Sequence, residues 1–234
     1  MQRRDFIKVC AATCAIGGPD ALAAADLKPR FYSRARLMDD VGRPLRTSGL
    51  IVDRNYVFHY PFESTPCFLL RLSRPTVRDV ALKTESGAAY RWPGGVGPDR
   101  TIVSFSAICA HRLNYPTPQV SFISYRDKAT ASATARANLI HCCSEHSEYD
   151  PAAGARVVGG PAPQPLSAIL LEYDAATDGL YAAGTLGGEL FDAFFAKFEF
   201  KLAMEQGGPK AKQPIADRVV VQELQRFCKQ QIRC

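Results

Sequence analysis

Long apolar runs, clustered basic residues and histidines are all scarce in this chain of 234 residues. The apolar stretch near the start, Val9–Gly18, has ten residues, whereas a membrane-spanning helix needs roughly 17. We therefore expect no membrane anchor. The lack of a basic cluster with interleaved aromatic residues argues against a nucleic-acid-binding protein. With four histidines, the sequence shows no nucleophile–base constellation, so we expect no bond-making chemistry on this chain alone.

The remaining composition is typical of a globular protein. Hydrophobic residues make up 47% of the chain, which argues against a disordered protein. The length suits one domain with extensions and a sizeable core. The formal net charge of +6 is spread along the chain, and a diffuse basic surface suits docking to an acidic partner protein.

The first 25 residues look like a twin-arginine export signal. Arg3 and Arg4 precede Phe6-Ile7-Lys8, an apolar run follows, and Ala21-Leu22-Ala23 has the A-x-A pattern of a cleavage site. The alternative is an ordinary basic start before a short helix. We expect residues 1–25 to be a signal peptide that directs the folded protein to the periplasm, or to the inner membrane if the signal is retained.

Short β-branched and aromatic runs begin at Gly49. The preceding residues 26–48 are polar and basic, and we expect an extended arm that lies on a partner or a solvated leader. Turn residues separate the later runs, which predicts an all-β domain of sandwich or small-barrel type over residues 49–188. The predicted strands include Val77–Leu82, Ala88–Trp92 and Ile102–Ser106.

Two pairs of cysteine and histidine lie in the middle of the chain. The first is Cys109-Ala110-His111 and the second is Cys143-Ser144-Glu145-His146, with a proline-rich loop at Gly159–Leu166. Two thiolates and two imidazoles on separate loops are what a Rieske-type [2Fe–2S] cluster needs, because one iron takes the sulfurs and the other the nitrogens. Zinc also accepts two cysteines and two histidines, so a zinc-bound interaction module without a redox role is the alternative.

Over residues 45–190 the chain resembles the Rieske iron–sulfur proteins. Both motifs and the proline-rich loop carry the resemblance together. It implies a Rieske-type β-sandwich with a small cluster-binding subdomain and a [2Fe–2S] cofactor. The implied ligands are Cys109, His111, Cys143 and His146. By the family's Cys-x-x-His pattern the ligand is Cys143 and not Cys142, and His141 has the wrong spacing.

The ligand loops depart from the family's pattern at three positions. Quinol-oxidising relatives join the two loops by a disulfide, and its positions here are Asn114 and Glu145, so that brace is absent. In this respect the loops are closer to the small subunit of arsenite oxidase or to dioxygenase ferredoxins. Arg112 stands where the family usually has an apolar residue, which adds positive charge beside the first histidine.

The segments around the second motif also differ from the family. Ser147 and Tyr149 resemble donors of hydrogen bonds to a bridging sulfide and a cysteine sulfur, which would raise the reduction potential, but the segment is one residue short. An insertion is expected at Asp127–Ala137. Pro161 and Pro163 resemble a rigid cover that keeps water off the cluster.

Four further cysteines each have two possible roles. Cys228 and Cys234 are six residues apart in a polar terminus, which predicts either a small disulfide loop in an oxidising compartment or two free thiols. Cys67 and Cys142 either pair with each other or remain buried thiols.

The C-terminal tail, residues 189–234, has a helical pattern. Large apolar residues recur from Phe191 to Leu202, which predicts an amphipathic helix over Glu189–Glu205. A second short helix is predicted over Ala216–Gln230. We expect this helical extension to pack on its own domain or to dock on a partner subunit.

The sequence therefore predicts one-electron transfer by the small iron–sulfur subunit of a periplasmic or membrane-associated oxidoreductase. The expected partners are a larger catalytic subunit or a c-type cytochrome, and membrane contact would come through a partner or a retained signal. The Rieske subunit of a quinol:cytochrome c oxidoreductase is an alternative that the absent brace disfavours. A Rieske oxygenase is disfavoured because the remaining chain is too short for a mononuclear-iron domain.

Overall fold

The computed structural model describes residues 26–131 and 136–234. Within these residues the backbone forms sixteen strands and two α-helices. The predicted signal peptide lies outside them. None of the helices in the described ranges combines the length and the apolar character that crossing a bilayer requires.

The secondary structure is dominated by short strands. In chain order the strands are β1 (Arg30–Met38), β2 (Tyr56–His59), β3 (Pro66–Arg71), β4 (Val80–Lys83), β5 (Ala89–Trp92), β6 (Ile102–Ser106), β7 (Val120–Ser121), β8 (Ile123–Arg126), β9 (Leu139–Cys142), β10 (Ser147–Asp150), β11 (Arg156–Gly159), β12 (Ala168–Asp174), β13 (Gly179–Leu186), β14 (Arg218–Val220), β15 (Gln222–Glu223) and β16 (Gln230–Gln231). The helices are α1 (Phe191–Gln206) and α2 (Leu224–Phe227). The all-β prediction is confirmed, and a small C-terminal helical part is present.

An eight-stranded sheet forms the body of the molecule, in the order β14-β1-β13-β12-β6-β3-β2-β15. Alternate side chains of β3 enter different hydrophobic clusters: Phe68 and Leu70 pack on one face, and Cys67 and Leu69 on the other. The sheet is thus covered on both sides at its centre, as the uninterrupted apolar sequence of this strand requires.

The segment expected to be an extended arm supplies strand β1 to this sheet. It pairs antiparallel with β13 and parallel with β14. Its sequence looks polar because arginines alternate with Ala35 and Leu37, which are fully buried. A period of two with one buried face is the pattern of a strand, so these residues belong to the domain's own core.

A separate four-stranded sheet, in the order β11-β10-β9-β8, carries the second cysteine–histidine motif. The first motif follows β6, as predicted for the strand Ile102–Ser106. The insertion between the motifs begins directly after β8 with a turn at Asp127–Ala131. In this turn the Asp127 carboxylate accepts a hydrogen bond from the Thr130 amide at 2.9 Å. Residues 132–135 of the insertion lie outside the described ranges.

The C-terminal tail is only partly helical. Helix α1 confirms the predicted helix to within two residues at its start and one at its end. The second predicted helix, Ala216–Gln230, is helical only at α2; residues 218–220 and 222–223 form strands β14 and β15 on opposite edges of the large sheet. Val219 and Val221 are buried while Val220 is exposed, so a period of two prevailed over the apparent helical spacing of Val220, Leu224 and Phe227.

Candidate metal centre

The first motif lies on a tight turn, residues 109–115, which we call the first loop. The Cys109 amide donates to the Asn114 carbonyl at 2.8 Å, and the Leu113 amide donates back to the Cys109 carbonyl at 2.9 Å. Leu113 has φ +60°, which lets the chain reverse between these two bonds. The turn fixes the direction of the Cys109 and His111 side chains.

Helix α1 supports the first loop from outside. The Tyr115 ring lies edge-on to Phe194 and Phe198, with ring centroids 4.9 and 5.0 Å apart. The Lys197 ammonium donates to the Arg112 carbonyl at 2.6 Å. The tail is therefore part of the framework that positions this loop.

The second motif lies on the hairpin between β9 and β10. We call residues 142–147, the turn with the strand residue on either side, the second loop. Cys142 pairs with Ser147, and Ile140 pairs with Tyr149. Residues directly opposite on antiparallel strands project from the same face. Cys142, Ser147 and Tyr149 therefore share one face of the hairpin, and the neighbouring Cys143 begins the turn.

This hairpin face meets Cys109. The Tyr149 hydroxyl lies 3.5 Å from the Cys109 sulfur and accepts a hydrogen bond from the Ala110 amide at 3.2 Å. Since the amide supplies one proton to this oxygen, the hydroxyl hydrogen is free to point at the sulfur. Cys109, Cys142 and Tyr149 are completely buried.

The two buried thiols influence each other's charge. The pKa of Cys109 is lowered, first because the Cys142 thiol donates to its sulfur, and further because Tyr149 and the amides of His111 and Arg112 donate to it. The same contact with Cys109, followed by burial, raises the pKa of Cys142. Burial, followed by the Cys109 charge, raises the pKa of Tyr149, so its hydroxyl stays a donor. The site thus stabilises one thiolate and keeps its neighbours protonated.

Two polar atoms on these loops have no partner. In the described ranges, the buried side-chain atoms without a hydrogen bond include His111 Nδ1 and Ser147 Oγ. Ser147 is fully buried opposite Cys142. A buried polar atom without a partner costs free energy, so such atoms point to a missing group.

The sulfur of Cys143 is bonded to Cys234, with the two Cα atoms 5.3 Å apart. This disulfide conflicts with the prediction of Cys143 as a thiolate ligand, because a sulfur in a disulfide has no thiolate to give a metal. It also corrects the predicted Cys228–Cys234 loop: Cys228 is a buried free thiol that bonds to the Gln230 carbonyl. Cys67 and Cys142 are free as well and do not pair.

The three histidines of this region have different surroundings. His141 bonds to the Arg136 carbonyl and lies 3.5 Å from the Glu148 carboxylate, on the opposite side of β9 from Cys142. His111 is half-buried, and His146 is exposed with φ +57°. Among the described residues no three Cys, His, Asp or Glu side chains already form a metal-binding cluster. The assembled part is the Cys109–Cys142 pair, and the ligand roles of His111 and His146 stay predictions.

The proline-rich loop lies against the second loop. Gly160 has φ +77°, and a Cβ at this position would lie 2.2 Å from the His146 carbonyl oxygen. Only glycine fits such an approach. Ala162 is buried in the same hydrophobic cluster as Cys109 and Cys142, while Pro161 and Pro163 are exposed on either side.

Comparison with known proteins finds a similar solved structure. No family model matches the chain. Among solved structures it is 31% identical to the soluble domain of the Rieske protein II (soxF) from Sulfolobus acidocaldarius, over 56% of this chain and 68% of that chain, with a TM-score of 0.40.

In this chain the positions that correspond to the inter-loop disulfide of quinol-oxidising Rieske proteins are Asn114 and Glu145. The Arg112 guanidinium lies 3.9 Å from the Glu145 carboxylate, and both side chains are partly exposed. This ion pair is one direct polar contact between the two loop tips. Exposed pairs are typically worth about 0–1 kcal/mol, so it is a weak brace.

The approach of Cys142 to Cys109 was missed by sequence spacing. Counting forward from each cysteine to the histidine favours Cys143. Using Tyr149 as the reference point would have favoured Cys142 instead. Cys142 lies seven residues before Tyr149, and the pairing of the two strands puts both side chains on one face of the hairpin. The segment after His146 is one residue shorter than in the family's pattern, and this difference was the sequence signal for Cys142.

Proposed function

We propose that this chain is a Rieske protein that transfers single electrons through a [2Fe–2S] cluster. The observation that carries the proposal is the buried Cys109–Cys142 pair, with the unpaired atoms His111 Nδ1 and Ser147 Oγ on the same two loops. Thiolate sulfurs and imidazole nitrogens are the donor set of this cluster. Binding it would give each unpaired atom a partner, because a ring nitrogen can ligate iron and a hydroxyl can donate to sulfur.

The proposed ligands come from both loops. The first loop supplies Cys109 and His111, and the second supplies one cysteine and His146. A bound cluster of this type supplies a one-electron couple at a raised potential, because imidazoles replace two anionic thiolates. The chemistry of the donor set, two thiols and two imidazoles, fits this group.

The chain's own residues prepare the site for negative charge. The Tyr149 hydroxyl and the amides of His111 and Arg112 help to lower the pKa of Cys109. Cys109 and burial raise the pKa of Cys142, and the amides of Ser144 and Glu145 partly oppose that rise. Burial of both sulfurs excludes water. Donors aimed at buried sulfur stabilise the more negative, reduced state.

The proposed setting is a small subunit of an exported oxidoreductase that exchanges electrons with a catalytic subunit or a c-type cytochrome. His111 and His146 form the proposed exit edge. Exposed Arg112 and the lysines of α1 beside the first loop support docking of an acidic partner surface. The periplasmic location is supported by the sequence of residues 1–25.

Metal and sulfide analysis of the purified full-length chain tests the proposal. We expect two irons and two acid-labile sulfides per chain, and a reductive titration that follows a one-electron curve. Cys109→Ser should lose both iron and sulfide. One zinc per chain without sulfide would contradict electron transfer and would favour the zinc-bound interaction module.

A further inference from the structure

We propose that the adjacent cysteines Cys142 and Cys143 have different tasks. Cys142 supplies the thiolate of the second loop, and Cys143 fastens that loop to the C-terminus through Cys234. The assignment of Cys142 rests on the proposed function, because it requires a cluster to ligate. The assignment of Cys143 is independent of the cluster.

The register of the hairpin places Cys142 in the site. Cys142 is the last residue of β9, and its partner across the ladder is Ser147. Two residues further, Ile140 pairs with Tyr149, whose hydroxyl contacts Cys109. Because side chains alternate between faces, a shift of one residue would turn Cys142 away and break this arrangement. The register thus directs Cys142 into the same buried cluster as Cys109.

The C-terminal tail positions Cys234 to form a disulfide with Cys143. The terminal strand β16 pairs in parallel with β7, which brings the last residues beside the second loop. The Ile232 amide donates to the Ser121 carbonyl at 2.9 Å, and Arg126 donates to the Ile232 carbonyl at 2.7 Å. These hydrogen bonds fix the backbone of the last residues so that Cys234 lies next to Cys143 and not next to Cys228.

The Cys143–Cys234 bond is a covalent link from the second loop to the C-terminus. The partly exposed Arg112–Glu145 pair is a weaker link between the loop tips. Helix α1 holds the first loop and the terminal disulfide holds the second, so both loops are fixed to the same C-terminal tail. Closing the bond oxidises two thiols and transfers two electrons and two protons to a disulfide-containing oxidant, which an exported protein would meet.

Three serine variants of the full-length chain separate the two tasks. Cys142→Ser should lose iron and sulfide by at least tenfold relative to wild type. Cys143→Ser and Cys234→Ser should keep the wild-type iron content, and the double variant should match either single one. Peptide mapping of the alkylated, unreduced wild type should recover the Cys143–Cys234 crosslink and find alkylated Cys142 once iron is removed.

The readout for the tether is cluster retention during heating. Cys143→Ser and Cys234→Ser should both lose iron several-fold faster than wild type at an elevated temperature, while their electron paramagnetic resonance (EPR) spectra stay unchanged. Cys228→Ser is the matched control, because this nearby thiol is free, and it should lose iron at the wild-type rate.

The outcomes distinguish this inference from the proposed function. If Cys143→Ser loses the cluster and Cys142→Ser keeps it, or if mapping finds Cys142 in a disulfide, the inference is overturned while the cluster stands. If the wild type binds no iron, the proposed function and the role of Cys142 both fail, and mapping still decides the tether. Because mapping uses the wild type, the test does not depend on the variants folding.

Discussion

The hydroxyl of Tyr149 serves two groups of the first loop. It accepts from the Ala110 amide at 3.2 Å and lies 3.5 Å from the Cys109 sulfur. The ring is fully buried, so no water can replace the hydroxyl if it is removed. This single group therefore links the backbone of the loop to the charge on the sulfur.

Tyr149→Phe should lower the reduction potential of the bound cluster. The variant removes a hydrogen-bond donor to the Cys109 sulfur. Such a donor stabilises the reduced state of the cluster more than the oxidised state. A differential loss of about 1 kcal/mol corresponds to roughly 40 mV for a one-electron couple. Voltammetry measures the shift. Tyr125→Phe is the control, because this buried hydroxyl bonds to Asp53 instead, and an equal shift in both variants would contradict the role of Tyr149.

Asp178 makes a separate contribution to stability that depends on pH. Its pKa is lowered to about 2, first by the hydrogen bond from the Thr47 hydroxyl and then by the Ser48 amide at 3.0 Å. A carboxyl whose pKa is lower in the folded state stabilises the fold above its ordinary pKa. That stabilisation is lost as pH falls from about 4 to about 2.

Asp178→Asn should therefore lower the stability of the protein at pH 6. The difference in stability between variant and wild type should disappear as the pH falls towards 2. Thermal melts of wild type and variant across that range measure the difference. Asp79→Asn is a matched control, because Asp79 and Asp178 both have φ +53° and asparagine tolerates this conformation. If the two variants show the same pH dependence, the Thr47 and Ser48 contacts do not contribute as proposed.

At the scale of elements, helix α1 is a structural support of the first loop. Phe194 is completely buried against Tyr115, whereas Phe200 on the same helix is 80% exposed. Phe194→Ala should lower the free energy of unfolding by about 3–5 kcal/mol, while Phe200→Ala should change it by about 0.5 kcal/mol or less. Urea unfolding measures both. Similar losses would show that the helix is not anchored through this face.

The close approach of the proline-rich loop to the second loop gives another prediction. Gly160 and Gly42 have φ +77° and +78°, but a Cβ would collide with the His146 carbonyl only at Gly160. Gly42→Ala should cost about 1–2 kcal/mol for the left-handed backbone alone. Gly160→Ala should cost more in the same unfolding assay and should also reduce iron content. Equal costs would contradict a tight contact between these loops.

These elements show what sequence patterns can and cannot predict. Helix α1 was predictable because its apolar residues recur locally at helical spacing. Strand β14 was not, because its burial depends on pairing with β1, far away in the sequence. The proposed ligand role of Cys142 was also not predictable from local sequence. Local spacing favours Cys143 as the ligand, but the disulfide partner of Cys143 lies 91 residues away.

For the whole molecule, the tail beyond the Rieske resemblance completes the domain. Strands β14 and β15 extend the large sheet at its two ends, α1 packs under the first loop, and β16 brings Cys234 to the second. The sequence predicted the all-β class and the first motif from local patterns. It could not predict this wrapping, because each contact joins residues that are distant in the chain.

The central claim is that the two loops hold a redox-active [2Fe–2S] cluster with mixed cysteine and histidine ligation. EPR spectroscopy of the dithionite-reduced, full-length protein tests it most directly. The account predicts a signal whose average g lies below the free-electron value, with hyperfine coupling to histidine nitrogen. An EPR-silent protein, or a signal without nitrogen coupling, would contradict it.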